Sequence, residues 1–128
     1  MFYARWCKDT EMKNVLKKTD IKKEGITSGI PIAYEKNSLY VTGNDGHTLV
    51  IGSTGSGKTQ ATILPLTKLA LLAGESVVIN DLKGDIYIQT AHNFKERGYN
   101  VIVLNFDNPN LGFAWNPLDL PYKLYKEG

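Results

Sequence analysis

The chain has 128 residues, 42% of them hydrophobic and 22% charged, with a formal net charge of +2. That is enough for one domain around one core, is ordinary for a globular chain, and points to no partner by charge alone. A single cysteine, Cys7, excludes an internal disulfide framework and fits a reducing compartment.

Residues 1–36 hold eight Lys/Arg against five Asp/Glu, so the mild positive excess lies in a leading segment. Such a run is either a solvated face or a surface near nucleic acid or membrane. Within it, Asp9 and Thr10 are candidate helix N-caps, and Met12, Val15 and Leu16 recur at helical spacing. A short amphipathic helix is expected from about Thr10 to Lys18, ended by the polar stretch to Gly29. Met1 to Trp6 is too short and too polar for a signal peptide.

Ile30 to Tyr34 and Ser38 to Thr42 read as two short strands, the first demoted to an edge by Pro31. Gly43-Asn44-Asp45-Gly46 is a turn signal. His47 to Ile51 then reads as a first central strand. A helical pattern from Thr59 to Ala73 follows, with Pro65 inside it as an expected kink or break and Gly74 placed to cap its end. The longest apolar stretch, Ala61 to Ala73, contains Pro65 and Lys68 and is too short to span a bilayer, so the chain as given is expected to be cytoplasmic.

Ser76 to Asn80 is apolar and β-branched, as a buried parallel strand should be. A second helix is expected from about Asp85 to Arg97 with Gly98 past its end, then a third strand over Val101 to Phe106. Strand, helix, strand, helix, strand is the α/β alternation of a doubly wound sheet. Asp107 to Gly128, with Pro109, Pro117 and Pro121, reads as loop.

The stretch with the clearest chemistry lies between the first central strand and its helix. Gly52-Ser53-Thr54-Gly55-Ser56-Gly57-Lys58-Thr59 fits the phosphate-binding (Walker A) pattern G-x-x-x-x-G-K-[ST] at every fixed position. The glycines let successive N–H groups turn inward around a phosphate, and the following helix aims its positive end at the same oxygens. Lys58 adds a charge able to reach the outer phosphates, and the Thr59 hydroxyl is placed to hold Mg²⁺. These residues point to a bound nucleoside triphosphate.

A second motif, Asp81-Leu82-Lys83-Gly84, follows the second strand. It is similar to the D-x-x-G switch of GTPases and to an apolar strand ending in a Mg²⁺-directing aspartate. Only twenty-one residues separate Thr59 from Asp81, however, too few for a helix, a switch loop and an extra strand, and no N-K-x-D guanine-reading sequence follows. Asp81 capping the next helix is the plainer alternative. His47 and His92 lack metal-ligand spacing, and Cys7 has no basic partner to activate it.

Taken together, these residues resemble the type IV secretion coupling proteins, the TraG/VirD-type ATPases that bring conjugative DNA to a secretion channel. The resemblance runs from Ala4-Arg5-Trp6 through His47, the phosphate loop and Pro65. Ser76 to Asp85 is similar to the family's S-V-V-x-x-D-P-K-G-E, with Leu82 for its proline and Asp85 for its glutamate. Val103 to Phe106 and Trp115-Asn116-Pro117-Leu118 resemble its N-F and W-N-P-L stretches. Many ATPases share the phosphate loop; its combination with the D-x-K-G and W-N-P-L segments is far more specific.

The resemblance implies an α/β P-loop NTPase of the RecA-like kind: a partial parallel sheet with flanking helices, preceded by a short helix and a β-hairpin. It divides the chain into a basic leading segment (1–36) with a short helix and edge strand, and a partial P-loop ATPase domain (37–128). It implies ATP and Mg as cofactors, a homo-hexamer at the cytoplasmic face of the membrane, and DNA, a relaxase complex and channel proteins as partners. Family members carry transmembrane helices before this segment and a Mg²⁺-directing acidic pair on a later strand. The chain is therefore expected to be the first part of the motor domain, to lack turnover alone, and to leave apolar sheet edges open. A stand-alone nucleotide-binding module and another P-loop enzyme, such as a GTPase or small-molecule kinase, are the alternatives. An arginine-rich kinase lid is not to be had from Arg5 and Arg97.

Overall fold

A computed structural model describes residues 5–22, 26–36, 38–43 and 46–127, so Ala4 and the Asn44-Asp45 turn lie outside the described residues. The chain divides into two compact units, Met1–Thr90 and Ala91–Gly128.

The first unit opens with helix α1, Asp9–Val15. Its N-cap is Lys8, not Asp9 or Thr10. The reason is Glu11, whose carboxylate reaches back to accept the Lys8 N–H at 2.9 Å, while Asp9 joins the first turn, where the helix dipole favours its charge. Arg5 braces the arrangement by donating to the same Glu11 carboxylate at 2.8 Å. The helix stops at Val15, short of the expected Lys18, because Lys17–Thr19 leaves it as strand β1.

Strands β2 (Pro31–Glu35) and β3 (Ser38–Val41) form the expected hairpin, and β1 adds to it, giving an antiparallel sheet in the order β1-β3-β2. Lys18 pairs with Tyr40, and Ala33 pairs with Tyr40 from the other side. Pro31 lies on the edge strand β2, beside an irregularity in register before Ala33, where a missing N–H is tolerated. Alternation splits β3 into two faces. Leu39 and Val41 turn to one side, where Val41 is fully buried and packs with Ile26 and Leu69, flanked by Leu72 and Ala73.

Leu69, Leu72 and Ala73 belong to helix α2, Leu64–Ala73, and that helix is the continuation of the glycine-rich loop. Pro65 does not break it. The preceding residues, Thr59–Ile63, form a π-helical turn in which the Leu64 N–H donates to the Thr59 carbonyl, five residues back. Widening the turn takes the carbonyls out of the path of the proline ring, and Pro65 then falls in the first turn of the α-helical part, where no N–H is required. Gly74, at φ 78°, ends the helix as expected: its N–H donates to Leu71 at 3.4 Å and that of Glu75 to Ala70 at 3.0 Å, a Schellman closure. Buried Thr67 is satisfied by donating to the Ile63 carbonyl at 2.9 Å.

Helix α3, Asp85–Glu96, buries Ile86, Thr90, Ala91 and Phe94 along one stripe, and the division between the units falls within it. Gly98 closes it in the same Schellman fashion, with Tyr99 donating to the Phe94 carbonyl at 3.0 Å and the two rings meeting edge-on, centroids 5.0 Å apart.

The apolar runs 47–51, 76–80 and 101–106 form no ladder among the described residues, and their side chains are largely open: Leu49 is 83% exposed, Val78 103% and Phe106 86%. The sheet that is present is therefore the antiparallel one.

The last stretch is not all loop. After a 3₁₀ turn at Pro109–Leu111, the second unit ends in helix α4, Asp119–Glu127. Pro121 is compatible with it because it sits in the first turn, where its nitrogen has no carbonyl to serve. Asp119 and Lys123 add an ion pair at 2.8 Å one turn apart.

Candidate phosphate-binding site

Gly52 to Thr59 form a turn that enters the helical stretch directly, with the π-helical residues beginning at Thr59. Gly55 and Gly57 take φ of 79° and 80°, the left-handed region that a side chain would strain. The Gly55 angle lies at the centre of a turn in which the Ser56 N–H donates to the Ser53 carbonyl at 3.2 Å. The N–H groups of Gly55, Gly57 and Lys58 take part in no backbone hydrogen bond among the described residues. They remain as donors beside the start of a helix.

The Lys58 ammonium lies across the loop. It donates to the Gly52 carbonyl at 2.5 Å and the Ser53 carbonyl at 2.7 Å, with Ser56 Oγ a long 3.4 Å away. An ammonium has three protons, so two fasten the loop and the third has only the weak serine contact. Gly52 is required for this approach, since a Cβ there would sit 2.5 Å from Ser56 Oγ and 3.3 Å from the Lys58 side chain. Free N–H groups, a fixed cation and a helix start fit a phosphate chain, and the exposed Thr59 at the first helical position fits a metal ion bound to that chain.

The second motif takes a different form. Asp81 accepts two hydrogen bonds on Oδ2, from the Ile86 and Tyr87 N–H groups, both at 2.9 Å. Its carboxylate thus satisfies two orphan donors at the start of α3, and the capping alternative describes it. Gly84, at φ 74°, makes the turn between them, and Lys83 is exposed. The Trp115-Asn116-Pro117-Leu118 segment is likewise a helix entrance. Asn116 accepts the Leu118 N–H on its side chain at 3.0 Å and the Asp119 N–H on its carbonyl at 3.1 Å. Beside it, Ala114, Trp115, Asn116, Asp119 and Leu120 line an open cavity of about 470 Å³.

His92 pairs with Glu96 on α3 at 3.1 Å, and no cluster of metal-binding side chains occurs among the described residues. A linked group that the sequence does not announce joins α1 to the sheet. Lys13 donates to Glu35 at 2.7 Å and lies 5.6 Å over the Tyr40 ring, while the Tyr40 hydroxyl donates to Glu35 at 3.2 Å. The lysine holds the Glu35 carboxyl below its ordinary range, with smaller help from Tyr40 and Lys18, and Arg5 does the same for Glu11.

A glycine-rich, lysine-fastened turn ahead of a helix presents the donors that an anion would need. A family model for type IV secretory system conjugative DNA transfer matches residues 5–120, and the chain belongs to that family. Comparisons with curated proteins and with solved structures each return no match. No helix among the described residues is long and apolar enough to cross a membrane.

Proposed function

We propose that this chain is the ATP-binding, N-terminal part of the nucleotide domain of a TraG/VirD-type coupling ATPase, which moves DNA or protein substrates to a type IV secretion channel. The observation that carries the reading is the Lys58 ammonium fastened to the Gly52 and Ser53 carbonyls ahead of a helix, in a chain of the conjugative DNA transfer family. Gly52 to Lys58 hold the phosphates, and Thr59 contributes its hydroxyl to Mg²⁺. Asp81 and Gly84 shape the entrance to α3, with Lys83 exposed between them.

In this proposal the runs 47–51, 76–80 and 101–106 pair as parallel strands of a RecA-like P-loop sheet. Their β-branched, apolar composition supports it, as does their alternation with the helical stretches. Hexameric assembly at the cytoplasmic face of the membrane, with a DNA–relaxase complex and channel proteins as partners, follows from the same resemblance.

The test is a titration of fluorescent ATP and GTP analogues with and without Mg²⁺. The expected result is Mg²⁺-strengthened binding of ATP. A clear preference for guanine would replace this reading with a GTPase, and no binding by a folded chain would end it.

A further inference from the structure

In a regular α-helix, Ile63 would share one stripe with Thr67 and Ala70, which are both buried. Instead Ile63 is 36% exposed, and the polar Thr62 is the half-buried neighbour. The cause is the π-helical turn Thr59–Ile63, in which the Leu64 N–H reaches back to the Thr59 carbonyl rather than to that of Gln60. Such a turn takes in one residue more than an α turn. Everything ahead of it is therefore rotated by one residue, roughly 100° about the helix axis. Beyond the turn, α2 is anchored to the sheet by Leu69, which packs with Val41 and Ile26.

Pro65 holds the turn in this form. A regular α-helix here would press the proline ring against the Ala61 carbonyl, one turn back, with no N–H to offer it. Apolar burial pulls the other way, since the α register would cover Ile63. Two registers compete, and the proline decides between them. Their difference is felt at the loop. Gly52 and Ser53 lie on the chain that enters it and Lys58 at the start of the helix, and the ammonium joins the two by donating to both carbonyls. Turning the helix start carries Lys58 away from those carbonyls.

We propose that Pro65 is a positioning residue for nucleotide binding that acts through Lys58. By excluding the α register it keeps the ammonium over the loop, while leaving Ile63 in water. The proposal rests on the reading of Gly52 to Thr59 as a nucleotide site, and adds a residue outside the loop that sets its affinity.

The experiment follows two quantities in the full chain: affinity for a fluorescent ATP analogue with Mg²⁺, and the urea midpoint. Pro65→Ala should bind about ten- to a hundred-fold more weakly, the loss expected for the Lys58 contact itself. It should nevertheless unfold at higher urea, because alanine favours the helix and Ile63 becomes buried. Adding Lys58→Ala to Pro65→Ala should weaken binding by less than about threefold more, since the contact is already gone. Ile63→Ser alone should leave both quantities near wild type, because Ile63 is exposed. Combined with Pro65→Ala, it should abolish the gain in midpoint and restore part of the binding.

Wild-type affinity in Pro65→Ala would overturn the proposal and leave the nucleotide reading standing. So would a Pro65→Ala that loses affinity and midpoint together, which is damage to the helix, or losses from Pro65→Ala and Lys58→Ala that simply add. A gain in midpoint that survives Ile63→Ser would come from alanine alone and would overturn it too. Affinity indifferent to Lys58→Ala in the wild-type background would remove the nucleotide reading itself, and this proposal with it.

Discussion

Lys58 and Gly52 close the mouth of the loop on each other. The ammonium donates to the Gly52 carbonyl at 2.5 Å, and the lysine side chain passes so near that a Cβ on Gly52 would lie 3.3 Å from its Cγ and Cδ. Gly52→Ala should push Ser56 and Lys58 outward and cost roughly 1–2 kcal/mol of nucleotide affinity, about five- to thirty-fold. Because the tightest contact is Ser56 Oγ at 2.5 Å, Ser56→Ala in the same chain should restore most of the loss. Equal affinities for the single and double variants would show that crowding at Ser56 is not the cause.

Asp81 separates a structural role from a metal role. Its carboxylate accepts the Ile86 and Tyr87 N–H groups, so Asp81→Ala should lower stability by about 0.5–2 kcal/mol, read from urea unfolding. Asparagine caps as well as aspartate, so Asp81→Asn should keep both stability and the Mg²⁺ dependence of nucleotide binding. A folded Asp81→Asn that no longer responds to Mg²⁺ would mean that the carboxylate serves the ion.

The first unit should loosen in acid. Glu35 and Glu11 are held below the ordinary carboxylate range by Lys13 and Arg5. A carboxyl depressed in the folded state stabilises fully above its unfolded pKa, and the contribution disappears as pH falls through the lower folded value. The thermal midpoint should therefore drop as the medium is acidified below the usual glutamate range, and Glu11→Gln/Glu35→Gln should remove part of that slope. An identical pH profile for the variant would dissociate these pairs from stability. Lys13 and Arg5 are raised by the same contacts, so their share is lost only at the alkaline end.

Leu69 joins α2, the helix that follows the glycine-rich loop, to the sheet, packing with Ile26 and fully buried Val41. Leu69→Ala should cost about 2–5 kcal/mol, a large part of the whole for a small domain. By contrast, Val78→Thr should change chemical stability little, since Val78 is open to solvent here. A large loss from Val78→Thr would instead indicate a paired, buried strand, as the proposed parallel sheet requires.

The features legible in the sequence are those that local chemistry decides. Gly74 and Gly98 mark helix ends because only a left-handed residue lets the following N–H groups turn back to the last carbonyls. The hairpin and the edge position of Pro31 are equally local. Strand β1 is hidden because Lys17-Lys18-Thr19 has no alternating apolar signal; its pairing is set by β3, whose Leu39, Tyr40 and Val41 are distant in sequence. Helix α4 was hidden by Pro121, whose meaning reverses once Asp119 begins the helix. At the candidate site, spacing alone singles out Gly52 to Thr59, while the capping by Asp81 depends on where α3 begins, and the Lys13–Glu35–Tyr40 group on a tertiary contact.

The most direct measurement is calorimetric binding of ATP with Mg²⁺ to wild type and Lys58→Ala. Loss of a charge-assisted contact should cost roughly 1.5–3 kcal/mol, about ten- to more than a hundred-fold in affinity, with the fold retained. Equal affinity for ATP in both proteins would contradict the reading of Gly52 to Thr59 as a working phosphate loop.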